Sequence, residues 1–173
     1  GGFWASLMMA SDSDRVVAAW LRSGTAFAEW DKGKIALADL ADAVFAIPFV
    51  SNPGVKERDD ARFRGAWDGG LAMVKAYRAK GAPAAFAPDP KTGHECGESR
   101  DLAIPYFDAC LAARLPEKGS TKLRPIDPNS GWLAPFEGGT PKPAKDASPD
   151  TTKDSGWLPS AEVAAAWEQY VRD

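Results

Sequence analysis

The sequence predicts an α/β fold built on a small parallel sheet. Three observations point there. Short apolar runs alternate with segments of helical character along residues 1–115. The runs close on turn signals, Ser23-Gly24, Asn52-Pro53-Gly54 and Pro88-Asp89-Pro90. Between the second and third runs lies a long stretch of clear helical period.

In chain order, FWASLMMA (3–10) suits a buried helix, with good formers and no breaker. SDSD (11–14) is a turn. RVVAAWL (15–21) is apolar, β-branched at its start and reads as a buried strand. DKGK (31–34) is a turn and IALADLADAV (35–44) a short helix. AIPFVSNPG (46–54) is a strand that ends on its own turn. Over 61–80, Phe63, Trp67, Leu71, Val74 and Tyr77 recur at four- and three-residue steps, and Gly81 suits the position just past a helix end. APAAFAP (82–88) is the third strand. Ser99 is a candidate cap for a helix over 100–114, in which Pro105 introduces a kink.

From Pro116 the texture changes. Eight of the fourteen prolines fall in 116–159, which predicts a partly irregular wrap rather than a second core. SGWLAP (130–135) and SGWLPS (155–160) look like Trp-Leu anchors for that wrap, and 161–173 is an amphipathic helix with Ser160 as its cap. The organisation is thus residues 1–115 followed by a Pro/Gly-rich extension, 116–173.

Composition narrows the function. With 45% hydrophobic residues and a net charge of −3, no basic field invites nucleic acid or an anionic membrane. There is no phosphate loop, no Cys/His cluster of metal spacing, and no apolar run of membrane-spanning length. Cys96 and Cys110, the two cysteines, pair with each other, pair elsewhere or stay free. Cys96 reads as a small buried residue rather than a nucleophile.

Active sites of open parallel sheets lie beyond the carboxyl ends of the strands. Two loops follow strands there. NPGVKERDD carries Glu57, Asp59 and Asp60; KTGHECGESR carries His94, the one histidine of the chain. A carboxylate on one ring nitrogen leaves the other free to act as a base. Such a pair needs a nucleophile and oxyanion donors, and no serine or cysteine within the chain stands out for that role. Gly1-Gly2 followed by a helix is what stands just after a Gly-x-Ser-x-Gly elbow. The nucleophile is therefore expected one or two residues before Gly1.

With that, residues 1–115 resemble the C-terminal half of an α/β-hydrolase, of the serine esterase type that includes feruloyl esterases and polyhydroxybutyrate depolymerases. The resemblance rests on GGFWASLMM, IPFVSNPGVKE and YRAKGAPAAFAPDPKTGHECGESRDLAIPYFDACLAARL. It implies that the three strands are the sixth to eighth of the family. It also implies a serine–acid–histidine order, with Glu57 at the acid place, Asp59 and Asp60 as alternates, and His94 as the base. No metal or cofactor is implied, the substrate is a small-molecule or carbohydrate-linked ester, and family members of this type are secreted. The chain alone is then expected to be inactive, with an open apolar sheet edge. Two rivals stand beside this: a non-catalytic binding module that uses the Trp-Leu extension as its surface, and a serine peptidase with the same triad order.

Overall fold

The element order alternates as the sequence predicts. The computed structural model describes residues 1–35, 40 and 42–172. Its helices are α1 (Gly2–Ser11), α2 (Phe27–Asp31), α3 (Arg64–Ala79), α4 (Arg100–Arg114), α5 (Pro149–Lys153) and α6 (Ala161–Arg172). Its strands are β1 (Ala19–Arg22), β2 (Phe49–Asn52), β3 (Ala84–Phe86), β4 (Trp132–Pro135), β5 (Lys142–Pro143) and β6 (Ser155–Leu158).

Strands β1, β2 and β3 form a parallel sheet in that order, in register Ala19↔Phe49 and Phe49↔Ala84. Side chains alternate between its two faces. Ala19, Leu21, Phe49, Ala84 and Phe86 pack with Met9 of α1 and with Met73, Val74 and Tyr77 of α3. Trp20, Val50 and Ala85 face the other way, onto Leu102, Tyr106 and Cys110 of α4 and Trp167 of α6. The sheet is therefore a middle layer between two sheets of helix, which explains why its strands read as continuous apolar runs. The protein is mixed α/β.

Several boundaries differ from the sequence reading. The first strand starts at Ala19 rather than Arg15, because Ser13–Arg15 form a 3-10 turn. The carbonyls of Val16 and Val17 then accept from the buried Arg114 guanidinium. Part of the helix expected over 35–44, residues 36–39 and 41, lies outside the described residues, and Asp42–Ala46 is a 3-10 turn. Helix α4 runs through Pro105. Ser99 does not cap it; its hydroxyl bonds Asn52 Oδ1 instead (2.8 Å). Ser160 does cap α6, accepting from Val163 N (3.2 Å).

The extension is more ordered than its prolines suggest. The two Trp-Leu segments are β4 and β6, and they pair with each other antiparallel, Trp132 opposite Leu158 and Leu133 opposite Trp157. Strand β5 adds to the far side of β4. Trp157 is buried and donates to Pro128 O (3.0 Å). Gly156 lets β6 lie on β3, since a Cβ there would fall 2.7 Å from Ala85 Cα. Trp167 donates to Phe86 O (2.8 Å), and the Arg78 Nε donates to Ser155 O (2.9 Å). The extension thus covers β3 and completes the second core. No helix among the described residues is long and apolar enough to cross a membrane.

If the extension is part of the core, Trp157→Ala should lower unfolding free energy by about 3–5 kcal/mol. Urea melts followed by far-UV circular dichroism measure it. A change below about 1 kcal/mol would mean the extension is merely draped on the surface.

Candidate functional site

The candidate site is made where the loops after β2 and β3 are laced together. Past Asn52 the chain runs through Pro53-Gly54 into a 3-10 turn, Val55–Asp59. Past Phe86 it continues extended, and Gly54 and Asp89 form a parallel bridge that prolongs the sheet by one rung. Asp89 N donates to Pro53 O and Val55 N to Asp89 O, both at 2.8 Å; Lys56 N donates to Thr92 O at 3.1 Å. Gly54 is required for this approach. A Cβ there would lie 2.1 Å from Gly93 O and 2.5 Å from Thr92 O.

The lacing sets Glu57 beside His94. Glu57 Oε1 lies 2.8 Å from His94 Nδ1. Glu57 is fully buried, whereas the His94 side chain is 43% exposed. With Glu57 as a carboxylate, which only accepts, Nδ1 carries the hydrogen of this bond; in a neutral ring Nε2 then keeps its lone pair. Glu57 Oε2 is buried with no hydrogen-bond partner among the described residues. One face of the imidazole lies on the Phe63 ring, with centroids 4.0 Å apart and planes 12° apart. The Glu57 contact and the Phe63 stack orient an imidazole that is still partly exposed to solvent.

The other carboxylates are elsewhere. Asp59 is exposed and ion-pairs with Arg58 (3.6 Å). Asp60 Oδ1 accepts from Arg62 N (2.8 Å) and Phe63 N (3.2 Å) at the entrance to α3. Of the three acids on that loop, Glu57 is the one in contact with His94.

Gly1 and Gly2 sit on the same side of the sheet. Gly1 is the N-cap of α1, and Gly2 packs so tightly that a Cβ would lie 2.1 Å from Gly24 O. The start of α1 therefore abuts the carboxyl end of β1. Ser23, between them and Arg22, has φ +51° and a buried hydroxyl without a partner among the described residues. That hydroxyl is shielded from solvent.

The cysteines correct one expectation. Cys96 is exposed rather than buried, because its loop stands out at the sheet edge, and Cys110 is the buried one, inside α4; both are free. Burial pushes the Cys110 thiol up to about 12. Among the described residues no group of three or more His, Cys, Asp or Glu could hold a metal ion. A cavity of about 220 Å³ lies behind the histidine loop, lined by Asp89, Thr92, Gly97 and Tyr170, and neither His94 nor Glu57 reaches it.

Three contributors escaped the sequence reading. Phe63 was legible only as part of a core stripe. Asn52 read as a turn former, yet it is buried and its Oδ1 accepts from Trp20 Nε1, Arg22 Nη1 and Ser99 Oγ. Arg22 donates to Asn52 O (3.0 Å), Thr92 Oγ1 (2.7 Å), Gly93 O (3.3 Å) and Glu95 O (2.9 Å from Nε). Its one signal in sequence is a charge at the end of an apolar strand.

No family model matches the chain, and neither a curated protein nor a solved structure does.

Two outcomes are expected. A thiol-reactive chromogenic disulfide should titrate one cysteine, Cys96, in the native protein and two after denaturation; two fast thiols in the native state would contradict the burial of Cys110. Gly54→Ala should destabilise the fold by about 1–3 kcal/mol through overpacking, read from denaturant midpoints, and an unchanged midpoint would show that the loops are not in contact.

Proposed function

We propose that His94 and Glu57 are the base and acid of a serine–glutamate–histidine triad in a carboxylic ester hydrolase of the α/β-hydrolase kind. The observation that carries this is the 2.8 Å contact between His94 Nδ1 and a fully buried Glu57 at the carboxyl edge of a parallel sheet. Burial keeps the carboxylate from water and hence on the ring, and the exposed ring edge leaves Nε2 for the reaction.

The nucleophile in this reading is a serine just before α1, on a strand hydrogen-bonded to the open edge of β1. Surface chemistry supports that location. The exposed large apolar side chains are Phe3, Trp4 and Met8 on α1 and Ile104, Leu111 and Leu115 on and just past α4. Helices α1 and α4 cover opposite faces of β1, through Met9 against Leu21 and Tyr106 against Trp20. Among the described residues no strand pairs with the other edge of β1. An open edge with apolar helix faces on both sides is what a further strand with its own helices would cover.

In the reaction, Nε2 takes the serine proton as Oγ attacks the ester carbonyl, and the imidazolium is held against Glu57. The ring returns that proton to the alcohol oxygen as the carbon–oxygen bond breaks, leaving an acyl-serine. Water then gives a proton to Nε2 as it attacks the acyl carbon, and serine recovers it on release of the acid. The binding-module rival loses support, because Trp157 is inside the core and Leu133 and Leu158 are buried with it.

The test uses the polypeptide that carries this sequence together with the strand before it. It should hydrolyse 4-nitrophenyl acetate, and His94→Ala should lower kcat/KM by roughly 10²–10⁴-fold, with a smaller loss for Glu57→Ala. The 173-residue chain alone should neither hydrolyse the ester nor be labelled by a fluorophosphonate. Full activity in His94→Ala would remove the mechanism, and labelling at Ser23 would put the nucleophile inside this chain.

A further inference from the structure

We propose that Arg22 is a positioning residue for His94, fixing the loop that carries the imidazole to the end of β1. Its bearing on catalysis rests on the ester hydrolase reading; its bearing on the geometry of His94 does not.

The guanidinium contacts bracket the histidine. Arg22 Nη2 donates to Thr92 Oγ1 (2.7 Å) and Gly93 O (3.3 Å), before His94, and both Nε and Nη2 donate to Glu95 O, after it. The other branch, Nη1, donates to the backbone oxygen and the side-chain oxygen of Asn52 at 3.0 and 3.1 Å. One planar group therefore ties β1 to β2 and to three residues flanking the imidazole. The Arg22 side chain is only 12% exposed, and Asp89 Oδ2 stands 3.7 Å from Nη1.

Position matters as much as number. Glu57 fixes His94 through Nδ1 and Phe63 fixes the plane of the ring. Neither fixes the backbone that carries the ring, because residues 93–97 have no helix or strand of their own. Arg22 does so, from the strand whose end abuts the start of α1. A lysine keeps the charge but cannot form the fork, since its three donors radiate from one point. Arg22→Lys thus separates geometry from charge.

The experiment begins with the chain as it stands. His94 is its one histidine, so a single imidazole Cε1–H resonance reports on the site. In the wild type the stacked Phe63 ring should displace that resonance upfield, and Phe63→Leu should abolish the displacement, which assigns it. Arg22→Lys should lose at least half of the displacement while circular dichroism remains native. Thr92→Val removes one of the bracketing bonds without changing shape and should cause a smaller loss; it judges the proposal by itself if Arg22→Lys does not fold. A native-like resonance in folded Arg22→Lys, or in Thr92→Val where that variant is the judge, overturns the proposal, because a merely structural arginine changes the melting point and not the place of His94.

In the ester-hydrolysing polypeptide, Arg22→Lys should lower kcat on the order of 10²-fold, the cost of a small misplacement, with KM within about twofold. If kcat is unchanged, the positioning claim fails. If the wild type hydrolyses no ester, the enzyme reading fails instead, and the resonance of His94 still decides whether Arg22 holds the loop.

Discussion

The contact on which the site depends is the approach of Gly54 to the carbonyls of Thr92 and Gly93. A hydrogen atom in place of a side chain lets two loops from neighbouring strands run one rung past the sheet. Everything chemical follows from that rung. It sets the 3-10 turn that buries Glu57, brings Thr92 and Gly93 within reach of Arg22, and leaves His94 between the two. A residue with a Cβ at position 54 would separate the loops by more than a hydrogen bond tolerates.

The buried carboxylate makes this arrangement self-reinforcing. A buried carboxyl group is costly unless it is hydrogen-bonded, and the group bonded to Glu57 is His94 alone among the described side chains. Opening the loop would leave that group with no partner, so the carboxyl group holds the ring as firmly as the ring holds it. Phe63 adds contact area on one ring face, and the side chain stays partly exposed. The result is an imidazole whose ring is oriented by its own neighbours, which is what the proposed base requires of a side chain with free torsions.

Much of the frame was legible from local signals. The three parallel strands follow from apolar runs closed by turns, and α3 from a regular stripe of Phe63, Trp67, Leu71, Val74 and Tyr77. The loop pair followed from the rule that sites gather at strand carboxyl ends. What stayed closed was long-range. Glu57, Asp59 and Asp60 are equivalent in composition, and only the path of the 3-10 turn sends the first inward and leaves the last to hold the turn before α3. Arg22 and Asn52 act on partners some thirty to seventy residues away, with no periodicity to betray them. The extension misled through its prolines. Two of its glycines serve close packing, Gly131 against Trp157 and Gly156 against Ala85, and its repeated Trp-Leu pairs are two strands facing each other.

The cover that α6 gives to β3 also orders events during synthesis. Trp167 caps Phe86 from 81 residues further along the chain. At the usual pace of a ribosome that gap takes roughly 4–16 s to translate. Through that interval the strand has been made and its cover has not, so the packing of that face of the sheet waits on the last helix of the chain.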